Sequence, residues 1–89
     1  MTLTQLQYVV AIAETKSMNK AAAALFVSQP ALSGAIKDLE EELQTELFIR
    51  TNKGIVITTE GQEFLSYARQ MVELGNLVEE RFVNRTIAK

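Results

Sequence analysis

The stretch SMNKAAAALFVSQPALSG, residues 17–34, contains two helix starts separated by a short break. Ser17 can cap the first helix, in which four consecutive alanines raise helix propensity and let a neighbouring helix approach closely, before Leu25 and Phe26 close the packed face. Ser28 can cap the second helix. Pro30 then falls in the first turn, where the N–H that proline lacks would have no partner within the helix. Two helices joined by so short a turn predict a helix-turn-helix, its first helix about two turns long.

The second helix of this motif has an apolar face and a polar face. Its apolar residues step by 4, 3 and 4 along the chain and predict a core stripe of Leu32, Ile36, Leu39 and Leu43. Gln29, Ser33 and Lys37 step by 4 on another face. A recognition helix needs such residues, because bulky ones would keep it out of a major groove about 12 Å wide, whereas Gln reads adenine edges and Ser and Lys reach bases or phosphates. A solvated face of an ordinary helical bundle is the alternative interpretation.

One helix precedes the motif and a hairpin follows it. Thr2 or Thr4 can cap the preceding helix, since each is followed three residues later by a glutamine. The predicted buried stripe of that helix is Leu6, Val9, Val10 and Ala13. After the motif, the polar residues 50–54 precede a β-branched run at 55–59, which predicts a hairpin-like wing with its tip at 52–54.

A long helix is predicted after the wing. Thr59 and Gln62 form a capping box at its start, and the helical pattern continues to about Asn84. One row of its residues repeats at 4, 3, 4, 3 and 4, as in a coiled-coil seam: Phe64, Ala68, Met71, Gly75, Val78 and Phe82. A helix of roughly 40 Å is too long for so small a core to cover. The seam therefore predicts pairing with a second copy of the chain.

Composition narrows the function classes. The chain has 89 residues, 47% of them hydrophobic, so we expect one small globular domain rather than a disordered chain. It has no cysteine and no histidine, which removes thiol and imidazole catalysis and nearly every zinc or copper site, so we expect no cofactor and no metal. No apolar run is long enough to cross a bilayer and no secretory signal begins the chain, which predicts a cytoplasmic protein without a membrane partner.

The charges are unevenly distributed along the chain. A net charge of −2 gives no support to nucleic-acid binding. The cations nevertheless gather at the helix-turn-helix and the wing: Lys16, Lys20, Lys37, Arg50 and Lys53. The anions gather at the far end of the third helix: Asp38, Glu40, Glu41, Glu42 and Glu46. We interpret the acidic group as a solvated face, since consecutive helical carboxylates point about 100° apart, and the basic group as an edge that can face DNA.

Residues 17–61 together resemble the N-terminal winged helix-turn-helix of LysR-type transcriptional regulators. The resemblance rests on Ser17, Ala22-Ala23, Leu25, the run SQPALS at 28–33, Ile36, Leu39-Glu40, Leu43, Leu47-Phe48, Arg50, Thr58 and Gly61. It implies a mainly α fold, with a three-helix core and a β-hairpin wing over residues 1–58 and a long dimerisation linker helix over residues 59–89. In this family a larger effector-binding domain follows. We expect that domain, and with it any small-molecule effector site, to be absent from this chain.

The resemblance also implies which residues bind DNA. The predicted set comes from the recognition helix, the helix before it and the wing: Ser17, Lys20, Ser28, Gln29, Pro30, Ser33, Lys37, Arg50 and Lys53. Of these, Arg50 and Lys53 would lie near the DNA backbone or the minor groove. Family members often carry arginine or another long polar residue where this chain has Gly34 and Ala35, so some contacts are absent and no operator sequence can be transferred. Gln44 stands where a helix-ending glycine is common, so the third helix needs another stop.

The leading functional hypothesis is sequence-specific binding of double-stranded DNA by a transcription regulator that acts as a homodimer on a dyad-symmetric operator. Another winged-helix regulator family is a second hypothesis, against which the SQPALS run argues. From a different class, a protein-interaction module could recruit a partner through the long helix without binding DNA. An enzyme is the weakest hypothesis, because no nucleophile and base, and no metal cluster, can be assembled from these residues.

Overall fold

Four α-helices and one β-hairpin form the protein in the computed structural model, which describes residues 1–83. The elements are α1 (Leu3–Thr15), α2 (Met18–Leu25), α3 (Gln29–Leu43), β1 (Phe48–Thr51), β2 (Gly54–Ile57) and α4 (Thr59–Val78), which continues as a π-helical segment at Glu79–Val83. This architecture confirms the predicted mainly helical winged helix-turn-helix with a long last helix. The predicted end of that helix near Asn84 lies outside the described residues.

A hydroxyl side chain caps the start of each α-helix. Thr2 forms a complete capping box with Gln5 at α1, and Ser17 and Ser28 each accept a hydrogen bond from the backbone N–H three residues on. The last helix begins one residue earlier than predicted. Its cap is Thr58, whose Oγ1 accepts from the Gly61 N–H at 2.9 Å and donates to the Glu46 carbonyl at 2.6 Å, so the cap also ties the helix to the segment before the wing.

The core lies around α1, which contacts α2, α3, α4 and β2. The buried hydrophobic side chains are Leu6, Val9, Ile12, Ala13, Ala21, Ala22, Leu32, Ile36, Leu39, Leu47, Ile55, Leu65 and Ala68. The predicted stripe of α1 was wrong at one position, because Ile12 is fully buried and Val10 lies half-buried at the edge of the core. The reason is that α1 is covered from more than one side, which widens its buried face beyond a single stripe.

Three helices end on a residue other than glycine in the left-handed region: Lys16, Phe26 and Gln44, with φ of 53°, 58° and 52°. The prediction that Phe26 packs in the motif was wrong, because the left-handed turn directs its side chain away from the core and leaves it 94% exposed. Gln44 is itself the stop of α3, in the place where the sequence has no glycine. Its N–H donates to the Glu41 carbonyl at 3.2 Å and its Nε2 donates to the same oxygen at 2.7 Å.

The wing is an antiparallel hairpin that is fixed to the helices at both strands. On β2, the Ile55 N–H donates to the Lys16 carbonyl at 3.1 Å, and Gly54 has φ of 124° with only 2.8 Å between the Lys16 oxygen and the place a Cβ would occupy. At β1, the Glu40 Oε2 accepts from the N–H groups of Leu47 at 2.6 Å and Phe48 at 3.1 Å. A carboxylate of α3 therefore positions the start of the wing.

Candidate nucleic-acid interface

The starts of α2 and α3 meet the wing on one face of the molecule. Ser17, Gln29 and Arg50 border a shallow depression there, together with Asn19 and Thr51. A second depression adjoins it between α3 and the wing, and Ser33, Lys37 and Arg50 border that one. Five of the nine predicted DNA-binding residues are thus brought to one continuous surface, with Arg50 common to both parts. This surface is called the recognition face below.

Three of the predicted residues on the recognition face are joined by hydrogen bonds. The Gln29 Nε2 donates to the Ser33 Oγ at 2.9 Å along one turn of α3. The Arg50 Nη2, from the wing, donates to the same Ser33 Oγ. The polar row of the recognition helix and the wing are therefore connected directly through one hydroxyl.

The other four predicted residues lie at the edge of this face or outside it. Ser28 caps α3, Pro30 is exposed in the first turn of that helix, Lys20 is exposed on α2 and Lys53 is exposed at the wing tip. None of these borders either depression. Ser17 and Ser28 both serve as helix caps, so their hydroxyls already accept hydrogen bonds from the backbone.

The electrostatics of the recognition face favour an anion. The starts of α2 and α3 both lie at it, and a helix N-terminus carries a partial positive charge and unpaired N–H groups. Lys20, Lys37, Arg50 and Lys53 make no ion pair with any acidic group of residues 1–83. Glu40 is the carboxylate that reaches this face, and its Oε2 is already bonded to two backbone N–H groups at the start of the wing.

Sequence reasoning missed some residues of this face. Asn19 and Thr51 border the first depression but were not predicted to belong to the site. Their signal is weak, because each is a small polar residue beside a predicted one, Asn19 two residues after Ser17 and Thr51 directly after Arg50. Phe26, expected in the core, instead projects from the turn between α2 and α3.

The predicted pairing seam of α4 divides into a covered part and an exposed part. Ala68 is 0% exposed and belongs to the domain's own core, so it is removed from the predicted pairing surface. Phe64 is half-buried against the same core. Gly75 lies against α1, since a Cβ there would stand 3.0 Å from the Leu3 Cδ2.

The exposed part of α4 carries apolar side chains of the predicted seam and also one outside it. Met71 and Val78 are 45% and 49% exposed, and Phe82, in the π-helical segment after α4, also lies on the surface. Leu74, which falls outside the 4, 3, 4 repeat, is 62% exposed. A groove runs between this part of α4 and the start of α1, bordered by Met1, Leu3, Leu6, Met71, Leu74, Gly75 and Val78. We call this groove and its exposed side chains the apolar α4 surface.

Residues 1–83 contain neither a membrane-spanning helix nor a cluster of metal ligands. None of the helices in that range is both long enough and apolar enough to cross a membrane. The same range contains no cluster of three or more acidic, histidine or cysteine side chains placed to hold a metal ion.

The sequence is similar to those of bacterial regulators. Residues 3–62 match the family described as bacterial regulatory helix-turn-helix protein, lysR family. The HTH-type transcriptional regulator BudR of Klebsiella aerogenes is 41% identical over 81 residues, which cover 91% of this chain and 57% of BudR. The uncharacterized HTH-type transcriptional regulator YxjO of Bacillus subtilis (strain 168) is 40% identical over 74 residues, which cover 83% of this chain and 25% of YxjO. The chain spans about a quarter of the length of YxjO and of further curated relatives.

The fold is similar to those of solved regulators. The crystal structure of CbnR, a LysR family transcriptional regulator, matches with a TM-score of 0.86 at 37% identity, covering 94% of this chain and 29% of that one. The crystal structure of the CbnR_DBD–DNA complex matches with a TM-score of 0.84 at 37% identity, covering 100% of both chains. The BenM_DBD/catB site 1 DNA complex matches with a TM-score of 0.82 at 38% identity, covering 100% of this chain and 98% of that one.

Proposed function

The chain belongs to the lysR family of bacterial regulatory helix-turn-helix proteins, and from this premise we propose that it binds double-stranded DNA sequence-specifically as the DNA-reading part of a cytoplasmic transcription regulator. The observation that carries the proposal is the recognition face, where Gln29, Ser33 and Arg50 meet the positive ends of two helices. The solved complexes of CbnR_DBD and BenM_DBD with DNA support the same function. The proposed activity is binding, without a catalytic step.

In the proposed complex, α3 enters the major groove with its first turns. Gln29 and Ser33 would face base edges, while Pro30 would approach the groove wall. Ser17, Ser28 and the helix starts they cap would face phosphates, as would Lys20 and Lys37. Lys53 at the wing tip would contact the backbone outside the major groove.

Pairing is the second part of the proposal. Two copies would bury their apolar α4 surfaces against each other and place two recognition faces on a dyad-symmetric operator. Met71, Leu74 and Val78 would supply most of the contact. Their side chains are 45%, 62% and 49% exposed, so burying the exposed remainder would contribute about 1 kcal/mol per side chain. In this proposal, residues 1–58 and the buried start of α4 form the DNA-binding part of the chain. The later part of α4 forms the dimer contact.

DNA binding is tested by fluorescence anisotropy against a fragment that the chain retains from a genomic library and against random DNA of the same length. Gln29→Ala should weaken binding to the retained fragment by about 1 to 3 kcal/mol and leave random DNA nearly unchanged. Lys53→Ala should weaken both, whereas the control Arg81→Ala, on the π-helical segment beyond α4, should weaken neither. Binding that does not depend on salt, or no binding, would exclude the proposal.

Pairing is tested by sedimentation equilibrium. Leu74→Asp should release the monomer, because it removes apolar contact and puts a charge into the apolar α4 surface. Asn76→Asp is the matched control, since it adds the same charge at an exposed position on the other side of α4. A dimer of unchanged strength in Leu74→Asp and in the double variant Met71→Asp/Leu74→Asp would show that pairing uses another surface.

A further inference from the structure

We propose that Ser33 is a positioning residue for Arg50, so that the arginine of the wing acts together with the recognition helix rather than as a separate wing contact. This inference rests on the proposed DNA-binding function. It differs from the expectation for Arg50 drawn from the family resemblance, which placed its side chain near the backbone or minor groove with Lys53.

The strand register sets the direction of the Arg50 side chain. Arg50 pairs directly with Ile55 across the hairpin, and side chains of directly opposed residues lie on the same face of a sheet. Ile55 is buried, so this face of the wing is turned toward the helices. The neighbouring pair Ile49 and Val56 has the opposite orientation, and both side chains are exposed. Arg50 therefore starts from the inner face of the wing.

Ser33 binds the Arg50 guanidinium on the side of the wing that faces the helices. The Ser33 Oγ accepts from the Arg50 Nη2 and, at 2.9 Å, from the Gln29 Nε2. A hydroxyl oxygen has two acceptor lone pairs, so both are occupied by protein donors and only the O–H remains for DNA. The main contribution of Ser33 is then to order two longer side chains before DNA arrives, which lowers the side-chain entropy lost on binding.

The charge of Arg50 stays available in this arrangement. Its nearest bonded partner is a neutral hydroxyl, and within residues 1–83 no carboxylate pairs with it. Glu40 borders the same depression, but its Oε2 is committed to the N–H groups of Leu47 and Phe48. Arg50 is therefore oriented without being neutralised, which suits a cation that must contact DNA beside Gln29.

The hydrogen-bond network of Gln29, Ser33 and Arg50 is tested first in the DNA-free protein by NMR. Ser33→Ala should shift the side-chain amide resonances of Gln29 and increase the mobility of the Arg50 guanidinium, because it removes their common acceptor. Ser33→Thr keeps the hydroxyl and should preserve both signals, and Ser66→Ala removes a serine hydroxyl from α4 as a matched control. Unchanged Gln29 and Arg50 signals in Ser33→Ala would overturn the inference, whatever the protein does with DNA.

The coupling is tested next by a double-mutant cycle on DNA that the wild-type chain binds. Ser33→Ala should weaken binding about tenfold in the wild-type background and only about threefold in the Arg50→Ala background, because Gln29 is then the one side chain left for Ser33 to position. Ser33→Thr should retain most of the affinity. Equal losses in both backgrounds would make Ser33 an independent DNA contact and refute the positioning role. Failure of the wild type to bind any DNA would refute the proposed function, while the NMR result would still decide whether the network exists.

Discussion

Gly34 is a position where the recognition face can gain a DNA contact without any loss of packing. It is exposed on α3, and a Cβ built on it meets no heavy atom within 4 Å. It follows Ser33 directly and stands four residues after Pro30, so it lies on the side of α3 that the proposed complex turns to DNA. Gly34→Arg would place a cation there. Gly34→Ala is the matched control, because both variants remove the helix-weakening glycine and only one adds charge.

The size of the effect follows from counterion release. One added phosphate contact steepens the slope of log K against log salt by about 0.9 on B-DNA, so between about 50 and 200 mM salt the advantage of Gly34→Arg should shrink by roughly 3.5-fold. Fluorescence anisotropy at four salt concentrations measures both slopes. Gly34→Ala should keep the wild-type slope. Identical slopes for Gly34→Arg and Gly34→Ala would refute the docking of this side of α3 against DNA.

Three further variants test the contacts that hold the fold, each by urea unfolding. Gln44→Gly should raise the free energy of unfolding by about 0.5 to 1 kcal/mol, because glycine adopts the left-handed region without the strain of a side chain; Gln44→Ala should give no such gain. Gly61→Ala should lower the free energy of unfolding by about 1 to 3 kcal/mol, since the new Cβ would lie 2.3 Å from the Leu47 backbone oxygen. The control Gly34→Ala, where the new Cβ meets no atom, should raise the free energy of unfolding by about 0.5 to 1 kcal/mol. Glu40→Ala should lower it by about 1.5 to 3 kcal/mol through loss of a charged acceptor for two N–H groups, and the exposed control Glu41→Ala should leave it nearly unchanged.

Helix starts were predictable from the sequence because their chemistry is local. Ser17 and Ser28 each bond to an N–H only three residues away, so the capping pattern is visible in the sequence alone. Helix ends were harder to predict. Phe26 and Gln44 take the left-handed conformation that usually favours glycine, so neither residue type signals a helix end in the sequence. The misplacement of Phe26 in the core follows from that missing information.

The residues exposed at the two proposed binding surfaces were harder still to predict, because their exposure depends on tertiary packing. The 4, 3, 4 repeat of α4 shows that a row of residues is apolar, but it does not show whether α1 or a second chain covers that row. Ala68 is covered within the domain's own core, while Leu74, outside the repeat, is exposed. The inward direction of Arg50 likewise depends on which residue it opposes across the hairpin, and a shift of the pairing by one residue would reverse it.

The packing of α1 connects the two proposed activities of the chain. This helix contacts α3 on one side and α4 on another, and the Gln5 Nε2 donates to the Ala35 carbonyl of α3 at 3.2 Å. At its start, Leu3 lies against Gly75 and forms part of the apolar α4 surface. Because close-packed interiors transmit strain, we expect a displacement at the proposed pairing surface to be passed through α1 to the recognition helix. Within a dimer, the distance between the two copies of α3 would thus be set by α1, and a larger side chain at position 75 would alter the preferred half-site spacing without touching DNA.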